Sequence, residues 1–396
     1  MDKKLNLYFF GEIGTYDKYN PSYICSKKFI PEILYLIAYN EPFSITKNEI
    51  IEKLKIDNEK FDDLILSLKI INAIDIKENR YKINFPVFLE RDIDILNKHL
   101  VDIGAIIGKK IIEMSQLLND KISNLENHNY FSKERLLYHI ICDDVFDDTA
   151  FDFLAERNII SISKRQPGNR DYIIIGYEDC EEVEVHSNRL LCSSNNYSSK
   201  NFTFNSFGDS DGIRKDVYRF FRKTQKSLET VTPFQNLNLS YIKLVDDIND
   251  LIIEKCGEMM LKCFSKEISY NDLSREEQDI VDFLKELNYL TINKESHIIS
   301  CNIPVFKKED DKVINEISNI ILNHIFGIVK STFEEVENKA TGLTSIRHKV
   351  SIKEIGNELW HQIFGLTNEY LARKGFVQLP EHVKGEGRYL RSLRVK

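Results

Sequence analysis

The sequence predicts an α+β chain, predominantly α-helical, in which small helical modules with β-hairpins are joined by long helices and the whole plan is duplicated. Three observations carry this expectation. Residues 83–92, INFPVFLERD, are echoed at 301–310, CNIPVFKKED, so Asn84, Pro86, Val87, Phe88 and Asp92 reappear as Asn302, Pro304, Val305, Phe306 and Asp310. Upstream, LKIINAIDI (68–76) faces LKELNYLTI (284–292), and a short hairpin separates each from its motif. Downstream, each motif opens a stripe of apolar residues spaced by three and four, the signature of a helix with one buried face.

Taken in order, MDKKLNLYFFGEIG lacks a small-residue cleavage site, and its short apolar stretch reads as a first strand rather than a signal peptide. FIPEILYLIAY (29–39) is a helix. Thr46 with Glu49 forms a capping box for KNEIIEKL, and Asp57 caps a third helix over 57–69. Strands flank Glu78-Asn79. The first long helix runs through Leu96, Leu100, Ile103, Ile107, Ile111, Leu118 and Ile122, and the second through Val313, Ile317, Ile321, Ile325 and Ile328. Proline cannot donate to a strand ladder, so Pro86 and Pro304 suit a strand exit. Asp92 and Asp310 suit the positive end of the helix that follows.

The repeat continues past the long helices. RLLYHII (135–141) faces NELWHQI (357–363), giving the paired His139 and His361, for which a shared structural task such as bonding a backbone carbonyl is expected. FLAERN (153–158) faces YLARKG (370–375), Gly168 faces Gly385, and Tyr172 faces Tyr389. Residues 133–178 read as helix (133–142), helix (148–157), strand (159–164), turn, strand (172–177), and 351–394 read alike.

Three helices followed by a β-hairpin, as in residues 30–88, resemble the winged helix-turn-helix superfamily in architecture and spacing. That resemblance implies tandem winged-helix-like modules and a third helix able to enter a DNA major groove. The expected organisation is an N-terminal strand with module 1 (1–90), a long helix (91–130), module 2 (131–185), a Ser- and Asn-rich linker (186–212), a basic helix with module 3 (213–306), a second long helix (307–345), and module 4 with a basic tail (346–396).

Composition sets the outer limits. The 396 residues are 42% hydrophobic and 29% charged, which fits a globular protein. No apolar run reaches the roughly 20 residues of a membrane span, so a cytoplasmic protein with no membrane partner is expected. Seven cysteines without a C-x-x-C pair argue against a disulfide framework or a zinc ribbon. A net charge of −8 disfavours general coating of nucleic acid, but charge is segregated.

The expected DNA contacts follow that segregation. The helix over 57–69 carries Asp57, Glu59, Asp62 and Asp63, and that over 272–286 carries Asp272, Glu276, Glu277, Asp279, Asp282 and Glu286, surfaces that repel phosphate. Modules 2 and 4 differ, with basic hairpin tips near turn glycines: Lys164, Arg165 and Arg170 in one, Lys384 and Arg388 in the other, where Arg391 and Arg394 extend the cluster. Helix 213–228 adds a stripe of Lys215, Arg219, Arg222 and Lys226. The expectation is a non-enzymatic DNA-binding protein, a transcriptional regulator. The alternative is a scaffold using its modules and long helices for protein partners or for homo-oligomerisation.

No phosphate loop, dinucleotide fingerprint, zinc-protease or serine-hydrolase motif is present, and no catalytic, metal-binding or cofactor-binding residue is expected. The one enzymatic reading is a metal-dependent nuclease built on Asp171, Glu182, Glu184 and His186, with His186 standing where such sites carry lysine.

Overall fold

The computed structural model describes residues 3–183, 190–210, 239–384 and 387–396, with side chains described from Asp250 onward in the helix that starts at Leu239. It is mixed α+β, 54% helix and 19% strand, with several small sheets. Among the described residues no helix is long and apolar enough to cross a membrane.

Strand β1 (Leu5–Glu12) leads into helices α1 (Pro21–Cys25), α2 (Ile30–Tyr39), α3 (Lys47–Leu54) and α4 (Asn58–Ile70). The expected caps are in place: Thr46 and Glu49 form the capping box of α3, and Asp57 accepts from the Lys60 N–H at 2.7 Å. Hairpin β2 (Ile74–Lys77) and β3 (Arg80–Ile83) turns at Glu78 and Asn79, both with positive φ (51° and 55°), the backbone of a two-residue hairpin turn.

After β4 (Val87–Phe88), the stripe that predicts one long helix is divided among α5 (Glu90–Leu100), α6 (Ile103–Glu113) and α7 (Ser115–Ile122). The stripe stays buried from Leu96 through Ile107 and Ile111 to Ile122, so the breaks at Val101–Asp102 and Met114 unwind the backbone without turning the apolar face outward.

Next, α8 (Lys133–Leu137), a π-helix (Tyr138–Thr149) and α9 (Ala150–Glu156) form one helical run where the sequence predicts two helices. The wider π turns carry the Asp-rich segment that reads as a break. The strand expected at 159–164 is absent; two residues of the expected turn form β5 (Arg165–Gln166) instead, and β6 (Arg170–Glu178) follows.

The expected polar linker is corrected over its described part: β7 (Leu191–Ser198) and β8 (Phe202–Asp209) are paired strands. Ser and Asn are depleted in strands on average, but Phe202, Phe204 and Phe207 are buried here and anchor the segment. Then come α10 (Leu239–Ser265), α11 (Arg275–Glu286), the hairpin β9 (Leu290–Ile292) and β10 (Ile299–Cys301), and β11 (Val305–Phe306). The second long helix is continuous, α12 (Asp311–Lys339), followed by α13 (Thr344–Arg347). A single α14 (Ile352–Arg373) replaces the two helices expected at the start of the last module, and β12 (His382–Val383) and β13 (Gly387–Val395) end the chain.

These elements form two units, neither continuous in sequence. The first gathers 1–110, 148–189 and 322–367, the second 111–147, 190–321 and 368–396. In the first, β6 lies between β1 (antiparallel) and β4 (parallel, Val87 opposite Gly176), over a core including Ile33, Leu34, Phe61, Leu68 and Tyr172. In the second, β13 lies between β8 (antiparallel) and β11 (parallel, Val305 opposite Leu393), over a core including Phe204, Met260, Leu284, Tyr289 and Leu393. The two proline motifs supply the parallel strands. The Pro86 carbonyl accepts from Gly176 N–H and the Pro304 carbonyl from Leu393 N–H, each at 2.9 Å. The strand exit and helix start expected at each motif are present: Asp92 accepts from Leu89 N–H and Asp310 from Lys307 N–H, each at 2.8 Å.

Candidate nucleic-acid interface

In the first unit the basic tip is built on β5 and β6. The Lys164 ammonium reaches both carboxylate oxygens of Glu354 at 2.9 and 3.0 Å. Arg170 opens β6 and turns back onto Asp17 at 2.7 Å and the Thr15 hydroxyl at 3.2 Å. Arg165, on β5, is exposed.

In the second unit the basic tip is built on β12 and β13. Arg388 donates to Asp209 through its backbone N–H (2.8 Å), Nε (2.9 Å) and Nη2 (2.6 Å), and Nη2 also reaches Glu369 at 2.7 Å. Burial alone would depress its pKa, but the hydrogen bonds to Asp209 and Glu369 outweigh burial and raise it. Arg391 is half-buried on β13 opposite Ser206, and Lys384 is exposed beyond β12. Arg394 pairs with Asp144 and lies over the Phe306 ring at 5.2 Å. Lys215, Arg219, Arg222 and Lys226 lie outside the described residues.

The structure therefore separates the expected contacts into two kinds. Lys164, Arg170 and Arg388 are counter-ions of carboxylates in their own units, whereas Arg165 and Lys384 face solvent. Of the partner carboxylates only Asp209 is buried, so Arg388 is the cation that would lose most on transfer to a phosphate, while the Lys164 and Arg170 pairs are partly exposed and weaker.

The acidic helices are exposed as expected. Asp57, Glu59, Asp62 and Asp63 face solvent on or beside α4, as do Glu276, Asp279, Asp282 and Glu286 on α11. Lys47 offsets Asp62 at 2.6 Å, Lys262 offsets Glu277 at 2.5 Å, and Tyr270 donates to Asp282 at 2.9 Å.

No family model, curated protein or solved structure matches the chain. The functional reading therefore rests on the side chains.

Of the nuclease set, Asp171 sits on β6 opposite Glu12, and Glu184 and His186 lie outside the described residues. Residues 181–183 are helical, so the strand face expected to carry Glu182 does not begin there. One group of possible metal donors is found among the described residues: Glu90, Glu178 and Cys180, with donor atoms within 4.8 Å of one another. The Lys3 ammonium lies 2.6 Å from Glu178, which also accepts from Glu90 N–H at 3.0 Å, so a lysine supplies the positive charge. Burial raises the Cys180 pKa, which disfavours the thiolate a metal would need.

The two paired histidines differ. The His361 ring lies 2.8 Å from the Asn357 carbonyl, as expected. His139 is fully buried with both ring nitrogens lacking a hydrogen-bond partner, and burial drives its pKa far down, fixing it neutral. Tyr138 beside it packs edge-on against Phe207, and Asn205 donates to Asp143, so the π-helix meets the sheet through a buried polar layer. In the second unit a cleft of about 360 Å³ is lined by Ser115, Asn119, Lys133, Glu134 and Lys374, a mixed-charge wall.

Sequence reasoning missed Asp209 and Glu369, the residues that hold Arg388. A signal was available: FFGE (9–12) ends β1 and SFGD (206–209) ends β8, each pairing its glycine with the tyrosine of the neighbouring strand, Gly11 with Tyr172 and Gly208 with Tyr389. Both glycines are required, since a Cβ would overlap the Asp171 carbonyl at Gly11 and the Arg388 carbonyl at Gly208.

Proposed function

We propose that the chain is a non-enzymatic scaffold, made of two copies of one unit with winged-helix-like modules, whose acidic helix faces dock a basic protein partner. The observation that carries this reading is the pairing of Lys164 with Glu354, Arg170 with Asp17, and Arg388 with Asp209 and Glu369. It engages three of the cations that a DNA-binding wing would use, Arg388 most firmly because Asp209 is nearly buried. The carboxylates of α4 and α11 stay exposed even where Lys47, Lys255 and Arg275 pair with Asp62, Glu276 and Asp279. Duplication is supported by the two proline motifs, each feeding a parallel strand, and by the glycine–tyrosine pairs at matching places in the two sheets.

The DNA-binding reading retains the support of Arg165 and Lys384, exposed near hairpin turns. The two are separated by titrating labelled duplex DNA at low and moderate salt, alongside affinity capture of partners. A scaffold gives no salt-dependent DNA binding and loses its captured partner when Asp62, Asp63, Asp279 and Asp282 are changed to Lys. DNA binding that falls steeply with salt and is abolished by Arg165→Glu with Lys384→Glu overturns the scaffold reading.

A further inference from the structure

We propose that β1 is a dimerisation edge that pairs antiparallel with β1 of a second copy of this chain. This goes beyond the scaffold reading and stands independently of it.

Asp179 N–H donates to the Lys4 carbonyl, while Tyr172 N–H goes to the Lys164 carbonyl and Gly176 N–H to that of Pro86, both away from β1. Residues opposite each other in an antiparallel pair alternate between bonded and non-bonded. Leu5, Leu7, Phe9 and Gly11 therefore stand at non-bonded positions, with their N–H and C=O groups turned away from β6. Among the described residues no strand pairs that side of β1. In the second unit β8, antiparallel to β13 as β1 is to β6, has its other edge covered by β7. The edge carries no proline or bulge and is open from Asn6 to Glu12, Leu5 at its start being only 2% exposed, and such an edge is a template for another strand.

The side chains specify which strand. Lys4, Asn6, Tyr8, Phe10 and Glu12 share one face and all are exposed, Tyr8 at 52% and Phe10 at 37%. Leu5 is buried in the core on the opposite face, with Leu7 and Phe9 packed against it. Outward backbone groups at odd positions require odd residues to pair with odd. One such register sets Leu7 opposite Phe9 and Leu5 opposite Gly11. It brings Tyr8 onto its own copy at the two-fold axis, Asn6 onto Phe10, and Lys4 onto Glu12 at both ends. Sliding by two residues either way leaves both charges without an opposite. Lys4 is held on this face by Asp179 at 3.4 Å, and Glu12 lies at the other end of the strand. Opposite charges directly across a ladder favour pairing and like charges oppose it. This self-matching pattern is what selects a second copy over an unrelated strand.

The test uses the full chain in sedimentation equilibrium and native mass spectrometry. The wild type is expected to be a dimer in exchange with monomer. Glu12→Lys sets lysine against lysine twice and is expected to raise the dissociation constant about tenfold. Lys4→Glu does the same with carboxylates. Mixing these two variants restores the dimer as a heterodimer, because both charge pairs are then complementary. Tyr8→Cys is expected to give a disulfide-linked dimer under mild oxidation, and Asn6→Cys none, since it faces Phe10. A wild type that stays monomeric, or a dimer indifferent to both charge variants and not linked by Tyr8→Cys, overturns the proposal. So does a dimer linked equally well through Asn6→Cys.

Discussion

Asn127 closes both backbone groups of Val305: its Nδ2 donates to the Val305 carbonyl at 2.8 Å and its Oδ1 accepts from the Val305 N–H at 2.9 Å. A carboxamide offers one donor and one acceptor, as a peptide does, so Asn127 acts as a missing strand beside β11. Ser345 does the same for Val87 in the first unit, its hydroxyl accepting from the N–H at 2.8 Å and donating to the carbonyl at 2.7 Å. Both clasps are buried. Asn127→Ala leaves two buried backbone groups unpaired and should destabilise the protein by about 2–4 kcal/mol, and Ser345→Ala should act in the same direction. Denaturant midpoints check this; a midpoint unchanged in Asn127→Ala contradicts it.

Asp92 is buried beside the second clasp and accepts from Leu89 N–H and Thr344 N–H at 2.8 and 2.9 Å. Burial pushes its pKa up to about 6, against the pull of those two N–H groups. The folded state then holds a proton more tightly than the unfolded chain, so ionisation costs stability. The cost is absent below about pH 4, grows between pH 4 and 6, and reaches roughly 3 kcal/mol above that. The stability of the wild type relative to Asp92→Asn should accordingly fall as pH rises from 4 to 7. Unfolding curves at each pH measure that difference, and a flat profile contradicts the assignment.

His348 carries the opposite slope in the same unit. Its Nδ1 accepts from Ile83 N–H at 3.2 Å, and Nε2 lies 3.1 Å from the Asn40 carbonyl. Burial pushes the pKa down to about 4, although the bonds to the Asn40 and Ala38 carbonyls oppose this. A depressed folded pKa means stability that is fully present above about pH 6.5 and is lost as pH falls toward 4, by roughly 3 kcal/mol. The wild type should therefore lose stability relative to His348→Gln on acidification. Over pH 4–6 the Asp92 and His348 slopes offset each other, so each single variant should reveal the slope of the other.

How much of this was legible depends on range. Caps and turns are local, so Thr46 with Glu49, Asp57, and the Glu78-Asn79 turn could be read from a few residues. The role of Pro86 and Pro304 at a strand exit was equally readable, because proline restricts its own backbone whatever surrounds it. What could not be read was pairing at long range. Ser345 is 258 residues from Val87, and Arg388 is 179 from Asp209, and no local pattern records such partners. The Ser- and Asn-rich β7 and β8 were hidden for a related reason. The strand character of β8 comes from three buried phenylalanines and from ladder bonds to β13, and that of β7 from its ladder to β8, not from the propensity of the segment itself. The basic tips were visible as charge, but the carboxylates that hold them were not.

Arg388 decides between structure and nucleic-acid contact. Its guanidinium side chain is about one-fifth exposed and lies against Asp209, which is 8% exposed, and Glu369. Removing the cation leaves one nearly buried carboxylate and one partly buried carboxylate facing each other without a counter-charge, so Arg388→Met should cost about 3–5 kcal/mol. The triple change Arg388→Met, Asp209→Asn, Glu369→Gln removes all three charges together and should recover most of that loss, because the penalty comes from the unpaired acids rather than from the missing arginine. Lys384, exposed beyond the adjoining hairpin, is the control: Lys384→Glu should leave the unfolding midpoint unchanged. Measuring stability and DNA affinity for the same three proteins separates the roles. A structural Arg388 gives large losses in stability and none in affinity that the triple variant fails to restore. A contact residue gives the reverse, with affinity lost in the single and the triple variant alike.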